Sequence, residues 1–257
     1  MKGYDLFKDR IYKKTGINLS LYKEKQMSRR LESLAMRNGY DDFEKYFDAI
    51  NRNPDLFNEF INYMTINVSE FYRNLEQWSV MEKIIFPELM SKNKNLRIWS
   101  AACSTGEEPY SLVMLLSKFM PLNKINIIAT DLDKEAMEKA KLGMYQEKSL
   151  RNLPKEFINR YFDKRLDRFV IKEEIKNRVT FKRHNLLEDK YIDNCDLIVC
   201  RNVMIYFTEE AKADIYSNFS KSLNNNGVLF VGSTEQIIMP NKYNLKPIKT
   251  FFYGKSS

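Results

Sequence analysis

Polar residues that could do chemistry directly follow short apolar stretches of this chain of 257 residues. They are Glu107, Glu108, Asp131, Arg201 and Asn202, and Asn185 lies before the last of these stretches. If the stretches are parallel strands, their carboxyl ends meet at one edge of a sheet, where open α/β sheets bind ligands. Asp131 alone could be a helix cap, and Asn202 alone could be a turn former. Their convergence from several stretches favours a binding site.

The loop around Gly106 indicates which ligand such a site would take. Gly106 is its only glycine, so the G-x-G-x-x-G pattern of dinucleotide-binding loops is absent. Glu107 and Glu108 follow at the expected start of a helix, where a phosphate would need free amides and a positive dipole. Asp131 is placed to hold ribose hydroxyls. These features predict a positively charged nucleoside without phosphate, such as S-adenosylmethionine, although first-turn acids also stabilise any helix.

Five blocks of sequence resemble a known family. The blocks are Asn67–Arg73, Trp99–Ser111, Ala129–Asp133, Asn185–Leu187 and Cys200–Phe207. They resemble the chemotaxis-receptor glutamate methyltransferases (CheR), in that family's order and over nearly the whole chain. The resemblance implies S-adenosyl-L-methionine as cofactor and S-adenosyl-L-homocysteine as product. It also implies that the chain esterifies glutamate side chains on the cytoplasmic helical domain of chemoreceptors, the methyl-accepting chemotaxis proteins.

The resemblance further implies roles for individual residues. Three residues would close over the methionine end of the cofactor: Asn67, Ser69 and Arg73. Four would meet its other parts: Glu108 the charged methionine portion, Asp131 the ribose, and Asn185 with Leu186 the adenine. Three would line the floor, some through backbone atoms: Cys200, Arg201 and Asn202. The residues expected at the point of methyl transfer are Arg73 and Tyr206.

The chain departs from the family pattern in a few places. Ser69 stands where the family usually has threonine, which keeps the hydroxyl, and Tyr72 replaces a common phenylalanine. Residues 163–171 contain no glycine and look shorter than in members that bind a C-terminal pentapeptide of the receptor. We therefore expect an enzyme that works without that tether.

The expected reaction needs no general base. A glutamate carboxylate has an ordinary pKa of about 4.3, so it is already a nucleophile near neutral pH. The only histidine, His184, is expected to pack or hydrogen-bond beside Asn185. Arg73 is expected to steer the carboxylate because a guanidinium can contact two oxygens, although a surface salt bridge is the alternative. Tyr206 could fix the same carboxylate or could be a core aromatic.

The elements that must position these residues fall into two parts. Helical spacing of apolar residues predicts an N-terminal all-α domain over residues 1–75. Asp41 with Glu44 predicts a capping box before its third helix, and Pro54 suits the first turn of a fourth. Strands that alternate with helices predict a Rossmann-like α/β domain over residues 76–257.

Two segments of this second domain depart from simple alternation. Residues 144–183 are predicted to form a small inserted β-subdomain, with strands at Leu166–Lys172 and Arg178–Lys182. Near the end of the chain, Asn225–Gly227 predicts a turn before the strand Val228–Gly232. Residues 246–253 are expected to add one antiparallel edge strand.

Composition limits the remaining classes of function. No apolar run approaches the roughly 20 residues that span a bilayer, and the charged N-terminus lacks a signal stretch, so we expect a cytoplasmic monomer without membrane insertion. Three cysteines and one histidine form no zinc pattern, so no metal is expected. The net charge is +8, with nine Lys and Arg against three Asp and Glu in residues 1–30.

The positive charge leaves more than one partner open. It suits a solvated surface, nucleic acid or an acidic helical protein. A methyltransferase for nucleic acid is the first alternative, but no Asn/Asp-Pro-Pro-Tyr/Phe loop for a flipped base follows a strand. The second is a non-catalytic module that senses S-adenosylmethionine. We expect Lys23, Arg29 and Arg30 to lie along acidic receptor helices, with no nucleic acid partner.

Overall fold

The N-terminal part of the computed structural model, which describes residues 1–256, is built from four helices. They are α1 (Tyr4–Thr15), α2 (Glu24–Arg37), α3 (Phe43–Arg52) and α4 (Pro54–Thr65). Their apolar faces pack around aromatic side chains such as Phe7, Tyr46 and Phe60, which are fully buried. The helices therefore end at Thr65, and the chain from Ile66 to Asn74 is an irregular connection.

The start of α3 differs by one residue from the sequence prediction. Asp42, not Asp41, is the N-cap, and its carboxylate accepts hydrogen bonds from the backbone N–H groups of Glu44 and Lys45. Asp41 instead forms an ion pair with the Lys45 side chain. Either acid could satisfy the free amides of the first turn, so the pattern located the helix start but not the capping residue.

A broken helix connects the two parts. It consists of α5 (Leu75–Val80), a π-helical turn (Met81–Ile85) and α6 (Phe86–Lys92). Pro87 explains the wide turn, because proline donates no backbone hydrogen bond and clashes with the carbonyl oxygen four residues earlier.

The second part is organised around a seven-stranded sheet. The strands of the chain are β1 (Ile98–Ala101), β2 (Ile127–Asp131), β3 (Met144–Gln146), β4 (Phe162–Arg165), β5 (Arg168–Ile171), β6 (Val179–Arg183), β7 (Cys195–Cys200), β8 (Leu223–Val231), β9 (Leu245–Lys249) and β10 (Phe252–Lys255). The main sheet has the order β6-β2-β1-β7-β8-β10-β9. The first five strands are parallel, and the last two are antiparallel additions.

Helices cover both faces of this sheet, as in doubly wound folds. The helices of the second domain are α7 (Glu107–Leu116), α8 (Lys134–Leu142), α9 (Lys155–Tyr161), α10 (Glu173–Lys176) and α11 (Glu209–Ser222). In the centre, Ala101 at the end of β1 pairs with Thr130 of β2 and with Cys200 of β7. Because these three strands end in register, the loops that follow them meet at one edge.

The inserted subdomain is smaller than predicted. Its sheet has the order β3-β5-β4 and lies within residues 144–171. The predicted strand Arg178–Lys182 is wrong as part of this subdomain, because it is β6 of the main sheet and pairs with β2. Leu166, the predicted start of a strand, is 96% exposed in the turn between β4 and β5. An apolar pattern indicates a strand but does not identify the strand beside it.

The end of the chain also differs from the prediction. Residues 245–255 form a hairpin of two strands rather than one edge strand, with a turn at Thr250 and Phe251. The predicted turn Asn225–Gly227 lies inside β8, where its pairing with β7 is irregular. Gly227 is required there by space, since a Cβ atom would lie 2.7 Å from the carbonyl oxygen of Cys195. No helix within residues 1–256 has the length and apolar character to cross a membrane.

Candidate functional site

A deep cleft opens at the carboxyl edge of the main sheet, facing the end of α4. Its volume is about 950 Å³ including the open mouth. The predicted site residues that line it are Asn67, Ser69, Arg73, Glu108, Asp131, Asn185, Leu186, Arg201, Asn202 and Tyr206. Cys200 is the exception, because its side chain is fully buried in the sheet and does not reach the cleft.

The loop after β1 has a strained backbone. Ala102 and Ser104 both have left-handed dihedral angles, with φ of 61° and 49°, and Gly106 has φ of 92°. At Gly106, a Cβ atom would lie 2.7 Å from the Cβ atom of Ala140 in α8, so only glycine fits. Such dihedral angles in non-glycine residues cost energy and cluster at functional sites. The strain turns the Ser104 backbone N–H towards β2.

Asp131, at the end of β2, receives that N–H group. Its Oδ2 accepts a 2.7 Å hydrogen bond from the Ser104 backbone nitrogen, and its Oδ1 accepts one of 2.9 Å from the Asp133 backbone nitrogen. Burial raises the pKa of Asp131 to about 6, although backbone hydrogen bonds from Asp133, Ser104 and Leu132 oppose the shift. A carboxylate has about four lone-pair sites in all, so Asp131 can still accept a further hydrogen bond from a hydroxyl.

Asn67 fixes the connection from the helical domain against two strand-end loops. Its Oδ1 accepts a 2.8 Å hydrogen bond from the Ser104 hydroxyl, and its Nδ2 donates a 2.7 Å hydrogen bond to Asp133 Oδ2. The Ser69 hydroxyl hydrogen-bonds the buried Glu107 carboxylate, which also accepts a 2.7 Å hydrogen bond from Thr105 Oγ1. The connection is therefore held as one wall of the cleft.

Glu108 and Arg201 form a buried pair that also lines the cleft. Glu108 Oε1 accepts a 2.8 Å hydrogen bond from the Ser100 hydroxyl, and its Oε2 lies 3.6 Å from Arg201 Nη1. Burial raises the pKa of Glu108, and the charge of Arg201 opposes the shift. Burial also lowers the pKa of Arg201, which the charge of Glu108 opposes. The mutual attraction therefore favours the charged form of both groups.

Arg73 and Tyr206 both line the cleft and remain partly exposed. Arg73 Nη1 donates a 3.1 Å hydrogen bond to the carbonyl oxygen of Val68. Among residues 1–256, no carboxylate forms an ion pair with Arg73, so the alternative of a surface salt bridge is not realised. Tyr206 lies in a short 3₁₀ turn (Met204–Tyr206), and burial raises its pKa, opposed by the charges of Arg30 and Arg73.

The residues expected beside the adenine also have structural contacts. Asn185 Oδ1 accepts a hydrogen bond from the Leu187 backbone nitrogen, and its Nδ2 donates a 3.3 Å hydrogen bond to the Gly16 carbonyl oxygen. His184 packs edge to face on Trp99, and its Nε2 lies 3.2 Å from the Lys190 carbonyl oxygen. The expectation that His184 packs and hydrogen-bonds beside Asn185 is confirmed.

Glu235 does not line the cleft but fixes a loop that does, and the sequence analysis did not predict it. Its buried carboxylate accepts hydrogen bonds from the backbone nitrogens of Asn202 (2.6 Å), Met204 (2.7 Å) and Gly232 (2.9 Å). It thereby fixes the loop after β7. The signal was present, because Glu235 follows β8 as Asp131 follows β2, and the same rule of polar residues after strands could have identified it.

Comparison with known proteins assigns the class of this fold and site. A doubly wound sheet with an acid-lined cleft at its carboxyl edge defines the chain as an S-adenosylmethionine-binding methyltransferase, since residues 67–252 match the family model described as CheR methyltransferase, SAM binding domain. Residues 2–65 match the model described as CheR methyltransferase, all-alpha domain. The chain therefore belongs to the CheR methyltransferase family, and the predicted family, fold class and cofactor are confirmed.

Curated relatives share this assignment over almost their full length. The chemotaxis protein methyltransferase of Listeria monocytogenes is 40% identical over 259 aligned positions, covering 98% of this chain and 99% of the relative. The protein of the same name from Listeria innocua is 41% identical with the same coverage. That of Borreliella burgdorferi is 34% identical, covering 88% of this chain and 85% of the relative. The chain is thus a methyltransferase of the chemotaxis family.

Proposed function

We propose that this chain is a protein-glutamate O-methyltransferase that esterifies glutamate side chains on the cytoplasmic helical domain of chemoreceptors. The observation that carries the proposal is Arg73, a guanidinium without a carboxylate partner among residues 1–256, at the mouth of a cleft suited to S-adenosylmethionine. Tyr206 lines the same cleft. A free guanidinium beside a phenol hydroxyl suits an incoming carboxylate, which accepts hydrogen bonds at both oxygens.

The chemistry of the cleft fits the cofactor. Asp131 offers two acceptor oxygens for the ribose hydroxyls, and Glu108 places negative charge where the ammonium and sulfonium need it. Glu107 and Glu108 occupy the first turn of α7, so a phosphate would meet repulsion there. We place Asn185 and Leu186 beside the adenine, and Asn67 and Ser69 beside the methionine portion. When bound, S-adenosylmethionine supplies an electrophilic methyl group on a positive sulfur.

The task of the protein is to orient the carboxylate and exclude water. Arg73 would hold the carboxylate by one or two of its N–H groups, and the Tyr206 hydroxyl would donate to the same group. Because burial raises the pKa of Tyr206, this hydroxyl stays a neutral donor at physiological pH. Fixing two reactants in line can remove roughly 7–11 kcal/mol from a barrier.

The titratable groups around the cleft suit a reaction without proton transfer. Burial raises the pKa of the Cys103 thiol well above its ordinary value, so it remains protonated. Burial lowers the pKa of His184, whose Nε2 already faces a carbonyl oxygen. Glu235 accepts three backbone hydrogen bonds and has no role as a base. An ionised carboxylate substrate needs none of these groups.

The surface of α2 supports an acidic partner. Lys23 and Arg29 are exposed at its start and first turns. Arg30 is less free than expected, because its Nη2 donates a 2.5 Å hydrogen bond to the Tyr63 carbonyl oxygen and its guanidinium lies 4.8 Å from the Tyr63 ring centre. We propose that Lys23 and Arg29 lie along the acidic helices of the receptor and that the enzyme acts as a cytoplasmic monomer, without nucleic acid as substrate.

The hairpin of the inserted subdomain supports action without a receptor tether. Arg165 and Arg168 pair directly, so only Leu166 and Asp167 form the turn between β4 and β5. A two-residue turn leaves no extended loop at this end of the small sheet. We propose that the enzyme recognises receptors through the methylation helices themselves.

The decisive experiment uses cofactor labelled in its methyl group and purified cytoplasmic fragments of chemoreceptors. Alkaline treatment should release the label as methanol, because a carboxyl ester hydrolyses and an N-methyl group does not. Label that stays bound in alkali would contradict glutamate esterification, and label transferred to nucleic acid would favour the first alternative. Cofactor binding without S-adenosylhomocysteine formation on any fragment would favour a sensing module.

A further inference from the structure

One aromatic residue of the helical domain lies inside the cleft of the other domain. Tyr22, two residues before α2, lines the cleft together with Asp131 and Tyr206. Its ring packs edge to face on Phe207, with 5.0 Å between ring centres, and the residue is 8% exposed. The helical domain therefore supplies part of the wall that a bound ligand would touch.

Backbone hydrogen bonds fix Tyr22 to the loop that carries Tyr206. The Lys23 backbone nitrogen donates a 2.8 Å hydrogen bond to the Tyr206 carbonyl oxygen, and the Thr208 backbone nitrogen donates one of 2.9 Å to the Leu21 carbonyl oxygen. Together they form an isolated antiparallel bridge between Tyr22 and Phe207. The position of Tyr22 is therefore tied to the position of the 3₁₀ turn that contains Tyr206.

The hydroxyl of Tyr22 makes no hydrogen bond to another group of residues 1–256. Burial raises the pKa of Tyr22, and the nearby negative charge of Asp131 adds to the shift, so the hydroxyl is a neutral donor. A largely buried tyrosine usually satisfies its hydroxyl with a partner. Tyr22 and Asp131 thus line the same cleft, where we have placed the ribose, and lie near enough for the charge of Asp131 to act on the Tyr22 hydroxyl.

We propose that Tyr22 binds the adenosine part of the cofactor and couples cofactor binding to the docking of the helical domain. This inference rests on the placement of the ribose at Asp131 in the proposed function. The ring would pack on the nucleoside, and the hydroxyl would donate to a ribose oxygen. Because coupling free energies are reciprocal, a bound cofactor would strengthen the contact of Leu21–Lys23 with the Tyr206 loop.

Calorimetric titration of the full chain with S-adenosylhomocysteine tests the binding contact. Tyr22→Phe should weaken affinity by about three- to tenfold, and Tyr22→Ala by more than tenfold. Tyr40→Phe is the matched control, because Tyr40 packs on Tyr46 within the helical domain and should keep wild-type affinity. Wild-type affinity in Tyr22→Ala would overturn the proposal. Should Tyr22→Ala unfold, the Tyr22→Phe result decides alone, since the ring that packs on Phe207 is kept.

Amide hydrogen exchange tests the coupling. S-adenosylhomocysteine should slow exchange at the backbone amides of Lys23 and Thr208 in the wild-type chain, and clearly less in Tyr22→Phe. Equal slowing in both proteins would show that Tyr22 does not carry the coupling. Neither experiment includes a receptor, so a failure of glutamate esterification would leave these outcomes unaffected and separately interpretable.

Discussion

Arg201 Nη2 donates a 2.8 Å hydrogen bond to the backbone oxygen of Arg73, across the gap between two separate segments of the cleft. The same guanidinium lies 3.6 Å from Glu108 and donates to Asn74 Oδ1 and Gln77 Oε1. Arg201 was expected to line the floor for the cofactor. Its contacts show that it also positions the backbone of Arg73, so the electrostatic pair and the proposed substrate-binding residue form one unit.

Removing Arg201 should therefore destabilise the chain. We expect Arg201→Ala to lower the free energy of unfolding by about 3–5 kcal/mol, because Glu108 would be left charged and buried without its partner. Urea unfolding measures this change. Pairing Arg201→Met with Glu108→Gln should restore part of the loss, since it removes both charges. An Arg201→Ala midpoint equal to the wild-type midpoint would contradict the structural role.

Replacing Asp131 should weaken cofactor binding. We expect Asp131→Ala to cost about 1–3 kcal/mol of binding free energy, because the ribose hydroxyls lose their acceptors. Calorimetry with S-adenosylhomocysteine measures the loss. Asp193→Ala, an exposed acid paired only loosely with Lys190, is a suitable control. Unchanged affinity in Asp131→Ala would remove this residue from the cofactor site.

The raised pKa of Asp131 predicts a pH dependence of binding. Hydroxyls of the ribose donate best to the ionised carboxylate, so affinity should rise as pH increases through about 6 and then level off. The effect on stability has the opposite sign. Because the pKa is higher in the folded chain than in the unfolded chain, this group's stabilisation is present below about pH 4 and is lost as pH rises through about 6.

Calorimetry of S-adenosylhomocysteine binding between pH 5 and 8 checks this prediction. Asp131→Asn should bind more weakly and should lack the rise near pH 6. The charge of the neighbouring Asp133 contributes to the raised pKa of Asp131. A wild-type profile without any inflection near pH 6 would count against an ionising Asp131 at the ribose.

Arg73 should matter for the receptor more than for the cofactor. Arg73→Ala should lower kcat/KM for receptor methylation on the order of 100-fold, because a preorganised donor to the reacting carboxylate is lost. Arg73→Lys should recover only part, since an ammonium cannot contact both oxygens. Steady-state kinetics with receptor fragments measures both. Arg37→Lys, at an exposed ion pair with Glu59, is the control. Equal activity of Arg73→Ala and wild type would end the proposed role.

Charge reversal on α2 should act on substrate capture. Lys23→Glu together with Arg29→Glu should raise the apparent KM for receptor fragments more than it lowers kcat, because long-range attraction to an acidic partner is lost. The effect should shrink as salt is added. Kinetics at several ionic strengths measure this change in KM. Lys94→Glu, at an exposed position between α6 and β1, is the control. Unchanged kinetics at low salt would refute docking along this helix.

The residues at the carboxyl edge of the sheet were predictable from sequence because each of them is identified by its neighbours along the chain. Each polar residue follows its own strand, and parallel strands in register bring the ends together, as Asp131 and Glu108 show. The orientation of Cys200 was not predictable, because all six residues of β7 are buried and no alternation shows which side faces the cleft. An apolar residue on either face of β7 would be buried, so the sequence does not show towards which face Cys200 points.

Long-range contacts explain the other omissions. Tyr22 reaches the cleft only because the two domains dock. No pattern in the sequence around Tyr22 predicts that contact. The position of Glu235 after β8 could have identified the residue, but its role could not be predicted, because it acts through backbone amides more than thirty positions earlier, at Asn202 and Met204. Backbone partners have no residue type to recognise. The membership of β6 in the main sheet likewise depends on which strand it pairs with.

The left-handed backbone of Ala102 and Ser104 restricts which residues can replace them during evolution. A β-branched side chain at either position would add steric cost at these dihedral angles, so residues of other types are favoured there. The backbone dihedral angles of this loop therefore help to determine the shape of the nucleoside site. We expect related enzymes to keep this inner contour while the outer helices diversify to suit receptors of different species.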